Sequence, residues 1–234
     1  MRRWLIFLLL ALVGPLTAHA ASPGSDEVAA VAGRIEAAYR DITDLQTDFT
    51  QTTHYEGFPT PSISKGRLSI RRPDQMHWDY REPSHHQIYV HGDEVLYYVP
   101  EHGQAIRSSM DREAGSTVPL TLLAGASKLT EQFALAWEGP PGAANGRYRL
   151  QLRVKGSPHM PPLTIEADAK SFLIRRVTLH DPSGAETTFE FADNTINTGL
   201  KPEAFVFTPP AGVEIVDAPP LLPPTAMPPK DELR

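Results

Sequence analysis

The stretch Gly-Arg-Leu-Ser-Ile-Arg-Arg-Pro-Asp-Gln-Met-His-Trp-Asp-Tyr, residues 66–80, decides the fold. It reads as two short strands broken at Arg72-Pro73. Proline lacks a backbone donor and biases the residue before it toward extended geometry. Period-two alternation puts Gly66, Leu68, Ile70 and Arg72 on one face of the first strand and Arg67, Ser69 and Arg71 on the other. In the second strand Met76, Trp78 and Tyr80 share a face, opposite His77 and Asp79. Arg72 therefore ends an apolar row. An unpaired buried charge is costly, so this arginine needs a partner: a carboxylate, a set of backbone carbonyls, or something that comes and goes.

Similar alternation extends to both sides. Upstream, Leu45, Thr47, Phe49 and Gln51 oppose Gln46, Asp48 and Thr50, and a turn region follows with Gly57, Pro59 and Pro61. Before that strand, Val28, Val31, Ala32, Ile35, Tyr39 and Ile42 keep helical spacing. This predicts an amphipathic helix over 25–42, with Ser25 as its N-cap. Downstream come strands over 87–91, with Ile88 and Val90 inward, and over 94–99, with Val95, Tyr97 and Val99 on one face. The Gly92-Asp93 hairpin turn joins them. Residues 104–110 return. Residues 119–124, Pro-Leu-Thr-Leu-Leu-Ala, break the alternation and read as a short apolar helix followed by Gly125. Strands over 133–137, 147–154, 163–167, 174–180 and 186–192 follow, with a turn at 181–184. About ten strands in hairpin order predict an antiparallel meander. Two short helical patterns are too little to cover a flat sheet of that size. The expected architecture is mainly β: an unclosed antiparallel β-barrel, or half-barrel, with a helical lid at its mouth. Curling creates a concave apolar face that can hold a ligand.

Composition bounds the function. Arg2 and Arg3, the apolar run 4–13 and Ala18-His19-Ala20 form a secretory signal, with cleavage expected after Ala20. Removing 1–20 takes the formal net charge from -6 to -8. An acidic exported chain is a poor fit to nucleic acid, whose binding rests on neutralising phosphates. The chain has no cysteine, so disulfides, thiolate metal sites, a cysteine nucleophile and a lipidated N-terminal cysteine are excluded. Residues 21–217 are expected to form one domain, and the proline-rich stretch 218–234 a disordered tail.

Motifs for chemistry are weak. His77, His85, His86, His91 and His102 crowd one stretch, but their spacing matches no metal site, and exposed histidines are the favoured reading. There is no serine elbow, and Asp79, Glu82, Asp93 and Glu94 fall on outward or turn positions. No phosphate-cradling loop or dinucleotide fingerprint is present. Neither catalysis nor a cofactor or metal is expected. What remains is the inward row Phe49, Leu68, Ile70, Met76, Trp78, Ile88, Val90 and either Leu96 or Tyr97, with Leu120, Leu122 and Leu123 of the apolar helix. It reads either as an ordinary core or as a binding cleft, and Arg72 tips the balance to the cleft.

These residues resemble the outer-membrane lipoprotein carrier family, LolA. The resemblance rests on Phe49-Thr50-Gln51 after the first helix, Gly66-x-Leu68 leading to Arg72-Pro73, Trp78, and the Gly92-Asp93 hairpin. It closes on Phe205-x-Phe207-Thr208-Pro209-Pro210-x-Gly212-Val213. It implies a monomeric periplasmic chaperone. That chaperone takes acylated lipoproteins from an inner-membrane ABC-type release complex to an outer-membrane receptor. It also implies that Arg72, with Pro73, holds the lid closed by hydrogen bonds and opens with cargo. Met76 falls where the family commonly has an aromatic, near the transfer surface. The prolines at 219–229 extend beyond the family's usual end. The alternative is a periplasmic lipid-binding or envelope-sensing module of the same fold.

Overall fold

The structure, a computed structural model, describes residues 23–110, 122–123, 128–157, 160–181 and 184–218. The expected leader, most of the tail and Leu120 lie outside the described residues. Helix α1 spans Pro23–Arg40. It begins before Ser25, which sits within the first turn rather than capping it. Val28, Val31, Ala32, Ile35 and Tyr39 form its buried stripe, and Ile42 is buried just beyond it. A second short helix, α2, spans Leu129–Gln132. Its Thr130 donates from both backbone N and Oγ1 to Glu36 Oε1 of α1, at 2.7 Å each. Leu122 and Leu123 are also helical.

Among the described residues thirteen strands make one sheet. In chain order they are β1 (Asp44–His54), β2 (Ser62–Arg71), β3 (Gln75–Glu82), β4 (His86–His91), β5 (Glu94–Val99), β6 (Gln104–Ser109), β7 (Phe133–Trp137), β8 (Ala143–Ala144), β9 (Arg147–Val154), β10 (Leu163–Asp168), β11 (Ile174–His180), β12 (Glu186–Ile196) and β13 (Glu214–Asp217). Across the sheet the order is β13-β6-β5-β4-β3-β2-β1-β12-β11-β10-β9-β7, with β8 beside β9. The two ends do not pair, so the sheet stays open. Two hairpin meanders are stitched together where β1 meets β12, in a ladder from Leu45↔Ile196 to His54↔Glu186.

β13 departs from the expected all-antiparallel order. It returns to pair parallel with β6, Ile215 beside Ala105. Its four residues carry only two apolar side chains, too few for alternation to reveal. This C-terminal return also changes β5. Val95 faces the main core, and on the face opposite the Val95-Tyr97-Val99 row Leu96 and Tyr98 are buried as well, with Ala105, Tyr89, Phe207, Val213 and Ile215. Tyr97 sits at the inner rim, partly exposed. A 3₁₀ turn at Pro202–Phe205 buries Phe205 and covers β3 and β4. The strand ends in the Arg72-Pro73 region fall as expected, and that peptide bond is cis.

Candidate functional site

The interior is built on the inner faces of β1 to β5, β7 and β9 to β12. Phe49, Leu68, Ile70, Met76, Trp78 and Val90 are buried in one apolar cluster with Val31, Ile35 and Tyr39 of α1. Leu122 and Leu123 plug into the same cluster. Ile88 packs against it, half-buried. Strand alternation explains this convergence: Leu68, Trp78 and Ile88 are paired across three neighbouring strands. Phe49 sits at the centre, edge-on to Trp78 at 5.0 Å and to Tyr80 at 4.8 Å. Phe189 of β12 adds its ring 5.5 Å from Trp78. Trp78 Nε1 is buried with no hydrogen-bond partner.

Gly66 makes the close packing of Phe49 possible. It lies at an irregularity in the β2–β3 ladder, where pairing slips from Lys65↔Glu82 to Gly66↔Tyr80. A Cβ there would overlap the Asp79 carbonyl and stand 2.8 Å from Phe49 Cζ.

Arg72 lies half-buried at the end of β2, where its backbone N donates to Thr43 O at 2.9 Å. Burial pulls its pKa down, and the nearby Tyr39 pushes it back up. Tyr39 belongs to the last turn of α1, and its hydroxyl oxygen accepts from Ile174 N at 3.1 Å. Burial pushes this phenol up to about 12, against the pull of the Ile174 N–H, Arg175 and Arg72. The cation thus stands where the sheet, the end of α1 and β11 meet. Pro73 is exposed beside it.

At the opposite end of these strands the interior opens into a cavity of about 430 Å³. Tyr80, Ile88, Tyr97, Leu179 and Phe189 supply apolar wall, and Gln51, Ser64, His86 and Thr187 supply polar wall. Tyr80 donates to Gln51 Oε1 at 2.8 Å, and His86 stacks on Tyr80 at 4.0 Å. Burial raises the Tyr80 phenol and lowers His86. Of the expected cleft residues that are described, Ile88 reaches this cavity, while Phe49, Leu68, Ile70, Met76, Trp78, Val90, Leu122 and Leu123 are buried in the interior behind it. Tyr80 was legible as inward-facing; Leu179, Phe189 and Tyr97 were legible as apolar strand residues but carried no sign of lying at a mouth.

The histidines do not gather. His85, His91 and His102 are exposed, as expected, but His77 is half-buried on the covered outer face and His86 is half-buried in the cavity wall. His77 stacks on Tyr89 at 4.2 Å. Among the described residues no three potential metal-ligating side chains come together.

Fold and site together define a class: an open β half-barrel whose apolar interior is closed by helices rather than by a second sheet. The chain belongs to the family described as outer membrane lipoprotein carrier protein LolA, whose model matches residues 40–208. Among its relatives, an outer-membrane lipoprotein carrier protein of Alkalilimnicola ehrlichii is 30% identical over 200 residues, covering 82% of this chain and 86% of its own. One from Nitrosospira multiformis is 28% identical over 188 residues, covering 79% of this chain and 87% of its own. A conserved protein of Thermus thermophilus shares the fold, at 14% identity and a TM-score of 0.53, covering 81% of this chain and 98% of its own.

Proposed function

We propose that this protein is a periplasmic chaperone that carries acylated lipoproteins across water, with the acyl chains held in the concave interior. The observation that carries the reading is the manner of closure. The apolar face is covered by α1 and by Leu122 and Leu123 rather than by a second sheet, and helical elements can move aside from a sheet as units. Each CH₂ of an acyl chain gains about 0.8 kcal/mol on burial, so a cleft lined by Phe49, Leu68, Ile70, Met76, Trp78, Ile88 and Val90 suffices to load it. Leu120, Leu122 and Leu123 would line the lid side.

Release needs a competing interaction. Arg72 supplies it in this reading: hydrogen bonds from a half-desolvated guanidinium to the closing elements form when the interior is empty and are given up when it is full. Pro73 fixes the end of the strand that carries it. Names of the relatives support a lipoprotein cargo, and the leader 1–20 supports export. An inner-membrane ABC-type release complex and an outer-membrane receptor are the partners the reading requires. No catalytic residue, cofactor or metal enters it.

A release assay tests this. The mature chain, from Ala21, is added to spheroplasts making labelled lipoproteins, and the supernatant is assayed for soluble complex. The wild type is expected to bring lipoproteins into solution. Arg72→Leu is expected to load but to hand over roughly tenfold more slowly, the order of magnitude of a charge-assisted hydrogen bond. If lipids co-purify but no lipoprotein is released, the protein is a lipid binder of another pathway. If Arg72→Leu loads and transfers like wild type, Arg72 is not the gate.

A further inference from the structure

The β1–β2 connection presents an aromatic pair to solvent. Phe58 is 72% exposed and Tyr55 51% exposed, and Ile63 beside them is 50% exposed. Phe58 N donates to Tyr55 O at 3.1 Å across a turn with Gly57 at φ +82. The turn sets the two rings 6.3 Å apart at 74°. Pro59 and Pro61 limit the freedom of the following chain. The turn thus presents both rings largely to solvent in one arrangement.

The position of the tip narrows what it meets. Glu56 lies against Gly184 of the β11–β12 turn, so the tip stands over the rim of the cavity. Gln51 and Ser64, on the strands that carry the tip, line that cavity, as do Asp181 and Ala185 of the neighbouring turn. Two rings and an isoleucine form a patch of a few hundred Å² at most, well short of the roughly 800 Å² per partner of a stable protein interface. The patch has the composition of an interfacial anchor: a phenyl ring, a phenol that keeps its hydroxyl wet, and prolines. Its nearest charges, Glu56, His54 and the Lys65–Glu82 pair, give no basic cluster to draw it to anionic headgroups.

We propose that the Tyr55–Phe58 tip dips into the headgroup region of a phospholipid bilayer, holding the cavity mouth against the membrane surface. The contact is weak and reversible, because it buries two rings and no cationic patch assists it. This inference stands on the exposed tip and does not depend on what the interior carries.

The chain has no cysteine, so a single label can be placed cleanly. Phe58→Cys in the mature chain carries an environment-sensitive fluorophore. Val206→Cys, at a residue 57% exposed on the outer face of the sheet, carries the same fluorophore as control. Both are mixed with protein-free vesicles of phosphatidylethanolamine and phosphatidylglycerol, with and without bromine on the acyl chains. The label at 58 is expected to shift to shorter wavelength and to be quenched by bromine, equally at low and high salt. The label at 206 is expected to do neither. Unlabelled Tyr55→Ser/Phe58→Ser, with an unchanged circular dichroism spectrum, is expected to float with vesicles on the order of tenfold less than wild type. No shift at 58, an equal shift at 206, or loss of the shift in salt overturns the proposal. A response at 58 only on membranes that retain their proteins also overturns it, and assigns the tip to a protein partner.

Discussion

Arg72 and Asp44 are two charged side chains withdrawn from water at the same end of the sheet, and they do different things. Arg72 was legible in the sequence because it ends an apolar row; its neighbours in space, Tyr39 and Thr43, lie far back along the chain and no spacing announces them. Asp44 carried no signal at all, since an aspartate before a strand ordinarily belongs to a turn. In the structure it is almost fully buried and accepts from Thr198 N at 2.8 Å, Thr198 Oγ1 at 3.0 Å and Gly199 N at 3.0 Å. Burial alone would push its pKa up, but these donors, all favouring the carboxylate, outweigh it and hold the group below its ordinary value. A carboxyl with a lowered folded-state pKa stabilises the fold above its unfolded value, about 3.9. That contribution is lost as pH falls through the folded-state value. Asp44→Asn is therefore expected to cost about 2 kcal/mol at neutral pH. The gap to wild type should narrow on acidification below about pH 4. Urea unfolding at several pH values measures this. A gap that stays constant down to low pH would place the effect in packing rather than in charge.

Among the elements, alternation was decisive wherever one face of a strand meets water, and misleading where both faces are covered. β9, Arg147–Val154, and β11, Ile174–His180, fall where their patterns place them. The alternation of β5 does not announce that both of its faces are buried, and nothing announces β13, for the same reason: the segment 202–217 folds back over the outer face and extends the sheet edge. Phe205 and Phe207 were visible as apolar residues, but the surface they cover lies about a hundred residues earlier in the chain. The mouth, likewise, is assembled from seven strands, β1 to β5, β11 and β12, and a turn, and so had no local signature. The β2–β3 hairpin shows the opposite case, in which one residue sets the geometry of a whole element. Gly66 sits at the ladder slip and leaves room for the Phe49 ring over the backbone of β3. A methyl group at Gly66 meets main chain on one side and an aromatic ring on the other, and neither gives way cheaply. Gly66→Ala is expected to destabilise by about 2–3 kcal/mol, in the range of core overpacking. The denaturant midpoint should fall with little change in slope. A midpoint within error of wild type would mean that the hairpin shifts freely, and that Phe49 is not held by it.

At the scale of the molecule, the seam between β1 and β12 decides whether the sheet behaves as one unit. The N-terminal meander, β1 to β6, and the C-terminal one, β7 to β12, each consist of local hairpins. The β1–β12 ladder joins their edges, with α1 and the shared interior, and its partners are separated by well over a hundred residues. Pairings so distant in sequence form late and slowly, because loop closure must come before the contacts that reward it. Once formed, they couple the halves through side chains as well as backbone. Phe49 is opposite Phe191 in the ladder, 6.4 Å from Phe189 across the seam and 5.0 Å from Trp78 within its own half. The two tryptophans that follow residue 20 stand on either side: Trp78 on β3 and Trp137 on β7. If the interior is one cooperative core, proteins retaining only Trp78 (through Trp137→Phe) or only Trp137 (through Trp78→Phe) should each give one fluorescence transition on unfolding. Adding Phe49→Ala to either should then lower stability by about 3–5 kcal/mol, the usual range for removing a buried aromatic ring. The loss should be the same whether read at Trp78, which touches Phe49, or at Trp137, which lies across the sheet. A loss seen at Trp78 with Trp137 unmoved would make the halves separate folding units held by α1. The interior would then open by parting along the seam rather than by lifting its helices.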